Sequence, residues 1–237
     1  MDWSLFSLGA AGWGDELLYG LGITLALAVL SFLIGTVAGT LFGLVELHAP
    51  RPLAALFAGY ALVMRSVPEL LVIFLTYYAA GFVAERFLEL FGISTRVSVS
   101  AFAAGVMALA MVQAAYTSEV IKGAVRAVPG GLLEAARALG MRPVIAFWKV
   151  TLPLAMRYAF PGLANLWMVV IKNTPFVSAI GVTDFIGQAG TAGQNTKHYF
   201  AFFLAVLLVY LVISGVSMIG QLVMERRLFR HVPTAGS

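Results

Sequence analysis

Long apolar stretches alternate with shorter polar ones along this chain. Leu17 to Val45 contains no charged residue, and about 20 apolar residues suffice to cross the hydrocarbon of a bilayer. Leu53 to Val83 repeats the pattern with Arg65 and Glu69 inside it, and Val97 to Ser118 ends just before Glu119. A fourth stretch, Tyr158 to Ile186, is irregular, because Pro161 falls within it and Lys172 divides its apolar pieces. Phe200 to Met224 is the last. The pattern predicts an all-α integral membrane protein of five transmembrane helices, a single domain over residues 1–237, with a polar loop at 119–157.

Composition agrees. With 61% hydrophobic residues, 11% charged residues and a mean hydropathy of +0.94, the chain holds more apolar surface than a soluble core can hide. Charge then orients the spans. The loop 119–157 carries Lys122, Arg126, Arg137, Arg142, Lys149 and Arg157 against Glu119 and Glu134. Arg51 lies in the first loop, and Arg226, Arg227 and Arg230 lie in the C-terminal tail. Basic residues in short loops mark the cytoplasmic side, so the N-terminus is outside and the C-terminus inside. Glu85, Arg86, Glu89 and Arg96 balance one another in an outer loop. No cleavable signal peptide is expected, since residues 1–16 carry Asp2, Asp15 and Glu16 but no Lys or Arg.

Other chemistries fall away. There is no cysteine, and His48, His198 and His231 lack ligand spacing, so neither a disulfide nor a metal site is expected. The basic residues form no aromatic-interleaved patch for nucleic acid. Gly35, Gly39 and Gly43 repeat at GxxxG spacing, which admits close helix approach; packing within the chain is favoured over a subunit interface. No inverted repeat is visible, which weakens a secondary-carrier reading.

The loop has its own pattern. Pro129-Gly130-Gly131 precedes a helical run from Leu132 to Leu139, on which Leu132, Ala135, Ala136 and Leu139 form an apolar stripe. Gly140 suits a helix C-terminus needing positive φ, and Pro143 discourages simple continuation. A second helical piece, Val144 to Val150, leads to Pro153.

The spacing Glu134-Ala135-Ala136, Gly140, Val150-Thr151-Leu152-Pro153 resembles the EAA loop of the membrane subunits of ABC importers. Gln113 to Gly123, Leu152 to Arg157, and Lys172-Asn173-Thr174 are similar to stretches of the polar amino-acid permeases. Arg65-Ser66-Val67-Pro68-Glu69 is similar to their Arg-Gly-x-Pro signature, with Ser66 in place of glycine. Pro175 and Phe176 likewise stand where Ser-Leu is usual. The acid at Glu69 is closest to permeases for histidine, lysine, arginine and opines.

The resemblance implies a type I ABC importer permease fold in a bacterial inner membrane. Glu134, Ala135, Ala136, Leu139, Gly140 and Pro153 would couple it to an ATPase dimer. An extracytoplasmic solute-binding protein and a second permease, identical or paralogous, are implied as well. The chain has no GxxxxGK[ST], so ATP and Mg would be bound by the partner ATPase.

Charges inside spans cost roughly 2.5–3.5 kcal/mol each and need a partner or a purpose. Arg65 and Glu69, four apart, are placed to neutralise each other, with a pathway role for Glu69 as the alternative. Glu119 and Lys122 are expected to form a boundary salt bridge. Asp184, near Ser178, Thr183 and Gln188, would attract a cationic substrate, or else be solvated at the outer surface. Asn173, Thr174 and Pro175 interrupt the fourth span, and such interruptions point to binding regions. Glu69, Ser178, Asp184 and Gln188 are thus the candidate pathway residues. The competing readings are an ATP-independent channel or proton-coupled carrier, for which no filter or relay is visible, and an intramembrane enzyme, for which no catalytic constellation is.

Overall fold

The computed structural model describes residues 3–9, 12–93, 95 and 98–228. Asp2, Arg96, Val97, Arg230 and His231 lie outside the described residues. Among the described residues nine α-helices follow one another: α1 (Gly14–His48), α2 (Arg51–Ser66), α3 (Glu69–Glu89), α4 (Ala101–Arg126), α5 (Gly130–Ala138), α6 (Pro143–Ala146), α7 (Leu152–Asn173), α8 (Phe185–Thr196) and α9 (Tyr199–Leu228). A π-helical turn, Phe147–Thr151, joins α6 to α7, and a 3-10 turn, Thr174–Ile180, follows α7. No strand occurs among the described residues. Among the described residues five helical stretches are long and apolar enough to cross a membrane: α1, α3, α4, Pro143–Ile180 and α9.

The centre of the fold is α4, 67% of whose most apolar stretch is buried, against 11% in α3 and in α9. Small residues make that possible, for Ala104, Gly105, Ala108, Ala114, Ala115 and Ser118 line its buried faces. The glycines of α1 lie directly on it. A Cβ at Gly35 would stand 2.6 Å from Gln113 and one at Gly43 would stand 2.8 Å from the Ser118 carbonyl, while Gly39 faces Ala114 and Thr117. The contacts advance together along both helices, so α1 and α4 run in the same direction, as first and third crossings do. The GxxxG spacing serves packing within the chain.

Three expected boundaries differ. Residues 53–83 are not one helix, for the chain breaks between α2 and α3. Pro68 biases Val67 towards an extended backbone (φ −90, ψ 137) and has no N–H to continue the ladder; hydropathy alone, which carries the stretch across Arg65 and Glu69, does not register this. The third span continues two turns into the polar loop, to Arg126. The fourth begins at Pro143 and ends at Ile180, and α7 passes through Pro161 without a break.

The π turn has a local cause. Pro153 cannot donate to the Lys149 carbonyl, and the register slips by one residue, so that the Leu152 N–H bonds the Phe147 carbonyl. At the outer end Leu17, Phe185, Ala189, Ala192, Phe202 and Val206 pack α8 against α1 and α9.

Candidate coupling and substrate-pathway sites

On the cytoplasmic side α5 is a nine-residue helix with a well-formed end. Leu139 caps it, and Gly140 follows at φ +74. The Gly140 N–H donates to the Arg137 carbonyl (2.9 Å), and the Met141 N–H donates to the Ala136 carbonyl (3.0 Å). This is the two-bond Schellman closure, and its left-handed residue favours glycine. The expected helix, Leu132–Leu139, begins two residues earlier and ends one sooner.

Its apolar stripe divides. Ala136 is buried, whereas Leu132 is 43% and Leu139 78% exposed, with Glu134 and Ala135 also outward. Leu133 and Arg137 instead line a cavity of about 920 Å³ shared with Leu41, Val45, His48 and Phe147. Helix α5 thus rests on α6 and the π turn while presenting Leu132, Ala135 and Leu139 away from its own chain. Pro153 lies just beyond the π turn, in the first turn of α7.

Where α4 approaches the cytoplasm, charges line up. Lys122 Nζ meets Glu46 Oε2 at 2.5 Å and Glu119 Oε1 at 2.9 Å, and Arg65 Nη1 lies 3.4 Å from the same Glu119 oxygen. The expected Glu119–Lys122 bridge is present. The expected Arg65–Glu69 pairing is not, because the break at Val67-Pro68 removes the i,i+4 geometry it needed. Glu46 was missed. It is an acid at the C-terminal end of a helix, where the dipole disfavours negative charge, and that mismatch was the available signal.

Glu69 opens α3, where the helix N-terminus favours a carboxylate. One of its oxygens is buried without a hydrogen-bond partner. The turn it begins carries Val72 and Ile73, which pack with Val177, Ile180 and Val182 in one core cluster. The α2–α3 break and the 3-10 turn after α7 therefore meet. Non-helical backbone at membrane depth is tolerated where protein or a wet cavity satisfies it.

Ser178 sits on that turn and donates from Oγ to the Pro175 carbonyl (2.6 Å). Asp184 lies past the end of the span and is wholly buried, which removes the reading of it as surface-solvated. Its Oδ1 accepts from the Gly187 N–H (2.9 Å), capping α8, while Oδ2 is buried and unpartnered. Desolvation pushes this carboxyl up to about 6, partly opposed by the backbone N–H groups around it. Gln188 donates its backbone N–H to the Asp184 carbonyl (2.9 Å) and packs at Gly20 of α1. Among the described residues no group of three or more His, Asp or Glu could hold a metal.

Residues 31–230 match the family described as "Binding-protein-dependent transport system inner membrane component". The octopine transport system permease protein OccQ of Rhizobium radiobacter is 38% identical over 92% of this chain and 92% of its own length. The histidine/lysine/arginine/ornithine transport system permease protein HisQ of Escherichia coli is 32% identical over 91% of this chain and 94% of its own. Among solved structures, an amino acid ABC transporter crystallised with histidines has a chain 31% identical, covering 91% of this chain and 95% of its own at a TM-score of 0.78. An inward-facing methionine ABC transporter chain, 20% identical, superposes at a TM-score of 0.72 and so shares the fold.

Proposed function

This chain belongs to the family of binding-protein-dependent transport system inner membrane components, and from that premise we propose which substrate it moves and which residues serve it. It is a multi-pass permease subunit of an ATP-driven importer in the cytoplasmic membrane, with the type I fold, and it is not itself catalytic. It works in a complex with an ATPase and a binding protein, and nucleotide binding belongs to the ATPase. The proposed finer assembly is two permeases, identical or paralogous, over an ATPase dimer that holds Mg with its ATP.

The proposed ATPase seat is the outward face of α5, with Glu134, Ala135 and Leu139 presented to the partner. Ala136, Gly140 and Pro153 hold that face in place. An exposed apolar stripe on a short helix with a fixed end supports this reading, because such a stripe needs a partner to cover it.

The proposed substrate is a basic amino acid or an opine-type derivative of one. The carrying observation is the Glu69 oxygen that is buried and unpartnered in the wall of the fold. A carboxylate oxygen buried without a partner, on a residue that is otherwise half-buried, costs free energy that a cationic ligand recovers, and relatives of this chain are named for octopine and for histidine, lysine, arginine and ornithine. Ser178, Asp184 and Gln188 form the second part of the proposed pathway, beside the 3-10 turn that packs on the helix of Glu69.

The test uses the complete importer in proteoliposomes, with arginine and its neutral analogue citrulline as substrates. Glu69→Gln is expected to lower the preference for arginine over citrulline by about tenfold, the factor equivalent to 1.4 kcal/mol. An unchanged preference removes Glu69 from the pathway. ATP hydrolysis that does not respond to loaded binding protein would favour an uncoupled channel or carrier instead.

A further inference from the structure

Glu46, Lys122, Glu119 and Arg65 form a chain of charges across three helices for which the transport reading has assigned no task. Its two ends differ. The Glu46–Lys122 end joins α1 to α4 and is buried, with side-chain exposures of 5% and 10%. The Arg65–Glu119 end joins α2 to α4, is 35% and 38% exposed, and is stretched to 3.4 Å. The closed end is shielded by the protein around it, and the open end is less so. Breaking the closed end would leave a buried charge uncompensated.

The glycine seam also fixes α1 against α4 along the whole length from Gly35 to Gly43. These two helices therefore move as one body. Helix α2 is pinned to that body at its middle, where Tyr60 donates to the Met111 carbonyl (2.7 Å) and Phe57 stacks near Phe42 (4.7 Å between ring centres). Its last turn is held to α4 by the Arg65–Glu119 pair, immediately before the break.

Only three residues, Ala127 to Pro129, separate α4 from α5. Only Ser66, Val67 and Pro68 separate Arg65 from Glu69. A displacement imposed on α5 reaches Glu119 along a rigid helix, and leaves α4 again through Arg65. We propose that the Arg65–Glu119 pair is the link by which movement at the coupling helix repositions the α2–α3 joint and the Glu69 carboxylate it carries. Arg65 and Glu119 are positioning residues in this scheme, and neither contacts substrate. The pair is suited to the role because an exposed ion pair re-forms at little cost, whereas a buried one locks. The inference rests on reading α5 as the ATPase seat and Glu69 as facing substrate.

The experiment uses the complete importer in proteoliposomes carrying Arg65→Gln, Glu119→Gln, both together, or Arg65→Lys. Each glutamine variant is expected to lower uptake of arginine and citrulline by one common factor of about tenfold, as a 1.4 kcal/mol loss of coupling gives. ATP hydrolysis continues but loses its stimulation by loaded binding protein. The double variant is no worse than either single, the mark of residues acting as a pair, and Arg65→Lys retains most of the uptake. Full stimulation in Arg65→Gln, or losses that add in the double variant, overturns the proposal. Should Glu119→Gln fail to assemble, because Lys122 then loses a carboxylate, Arg65→Gln decides alone. Failure of the Glu69 reading is distinguishable, since Glu69→Gln shifts the preference between the two substrates and Arg65→Gln leaves it unchanged.

Discussion

Two regions of this protein depend on glycine for opposite reasons. Along the α1–α4 seam there is no space: a Cβ at Gly39 would press into the Ala114 carbonyl and the Thr117 side chain. At the end of α5 there is abundant space, with nothing within 4 Å of a Cβ on Gly140, but the backbone there is left-handed at φ +74. The first glycine is demanded by a neighbour and the second by the chain's own turn. The contrast separates a spine that must not move internally from a surface element whose exit angle must be fixed. The same substitution should therefore fail in two different ways.

Gly39→Leu breaks the seam and is expected to have the largest effect. Overpacking a close interface costs about 1–3 kcal/mol, and this added Cβ meets backbone, which cannot rotate aside. Thermal unfolding of the purified protein in detergent should show a lowered midpoint and little correctly folded material. A Gly39→Leu protein as stable as the parent would mean that α1 and α4 are free to slide, and the rigid body inferred for them would go with it.

Gly140→Leu should damage function more than stability. A non-glycine residue in the left-handed region costs about 1–2 kcal/mol, confined here to the end of a short surface helix. The variant is expected in the membrane in ordinary amount, with ATP hydrolysis no longer driving uptake because α5 leaves its seat at the wrong angle. Uptake equal to the parent would show that the Schellman closure does not matter for coupling, and would erase the functional half of the comparison.

The two regions were also unequally legible. Long apolar runs and the local punctuation of Pro129-Gly130-Gly131, Gly140 and Pro143 are short-range signals, so the five spans and the short helix of the polar loop could be read directly. The Gly35-Gly39-Gly43 spacing announced a close approach without naming Ala114 or Ser118 as its other side. The break at Pro68 lies between Arg65-Ser66 and Glu69, but hydropathy averaged over a whole span passes over them and is blind to a missing N–H. The one-residue slip before Pro153 was masked for the same reason. Arg65 with Glu119, and Glu46 with Lys122, are joined only by folding, so nearest-neighbour logic paired Arg65 with Glu69 instead. For Asp184 the sequence left open a substrate contact or solvation at the outer surface; tertiary packing of α8 on α1, invisible in the sequence, buries the residue and removes only the second.

Leu139→Ser sharpens the comparison at its smallest scale, because it changes the outward face of α5 without touching the turn. Leu139 is 78% exposed, so its loss should move stability by no more than about 0.5 kcal/mol in the isolated permease. Buried against a partner, a leucine side chain contributes about 1.5–3 kcal/mol. The ATPase should therefore bind membranes carrying the variant at least about tenfold more weakly, since each 1.4 kcal/mol is tenfold. Titrating ATPase onto proteoliposomes measures this directly, and salt should alter the result little because the missing contact is apolar. Binding equal to the parent would mean that the partner covers Glu134 rather than the Leu132–Ala135–Leu139 stripe. A weaker complex with unchanged unfolding would assign the exposed half of the stripe to the ATPase and the buried half, Ala136, to the chain itself.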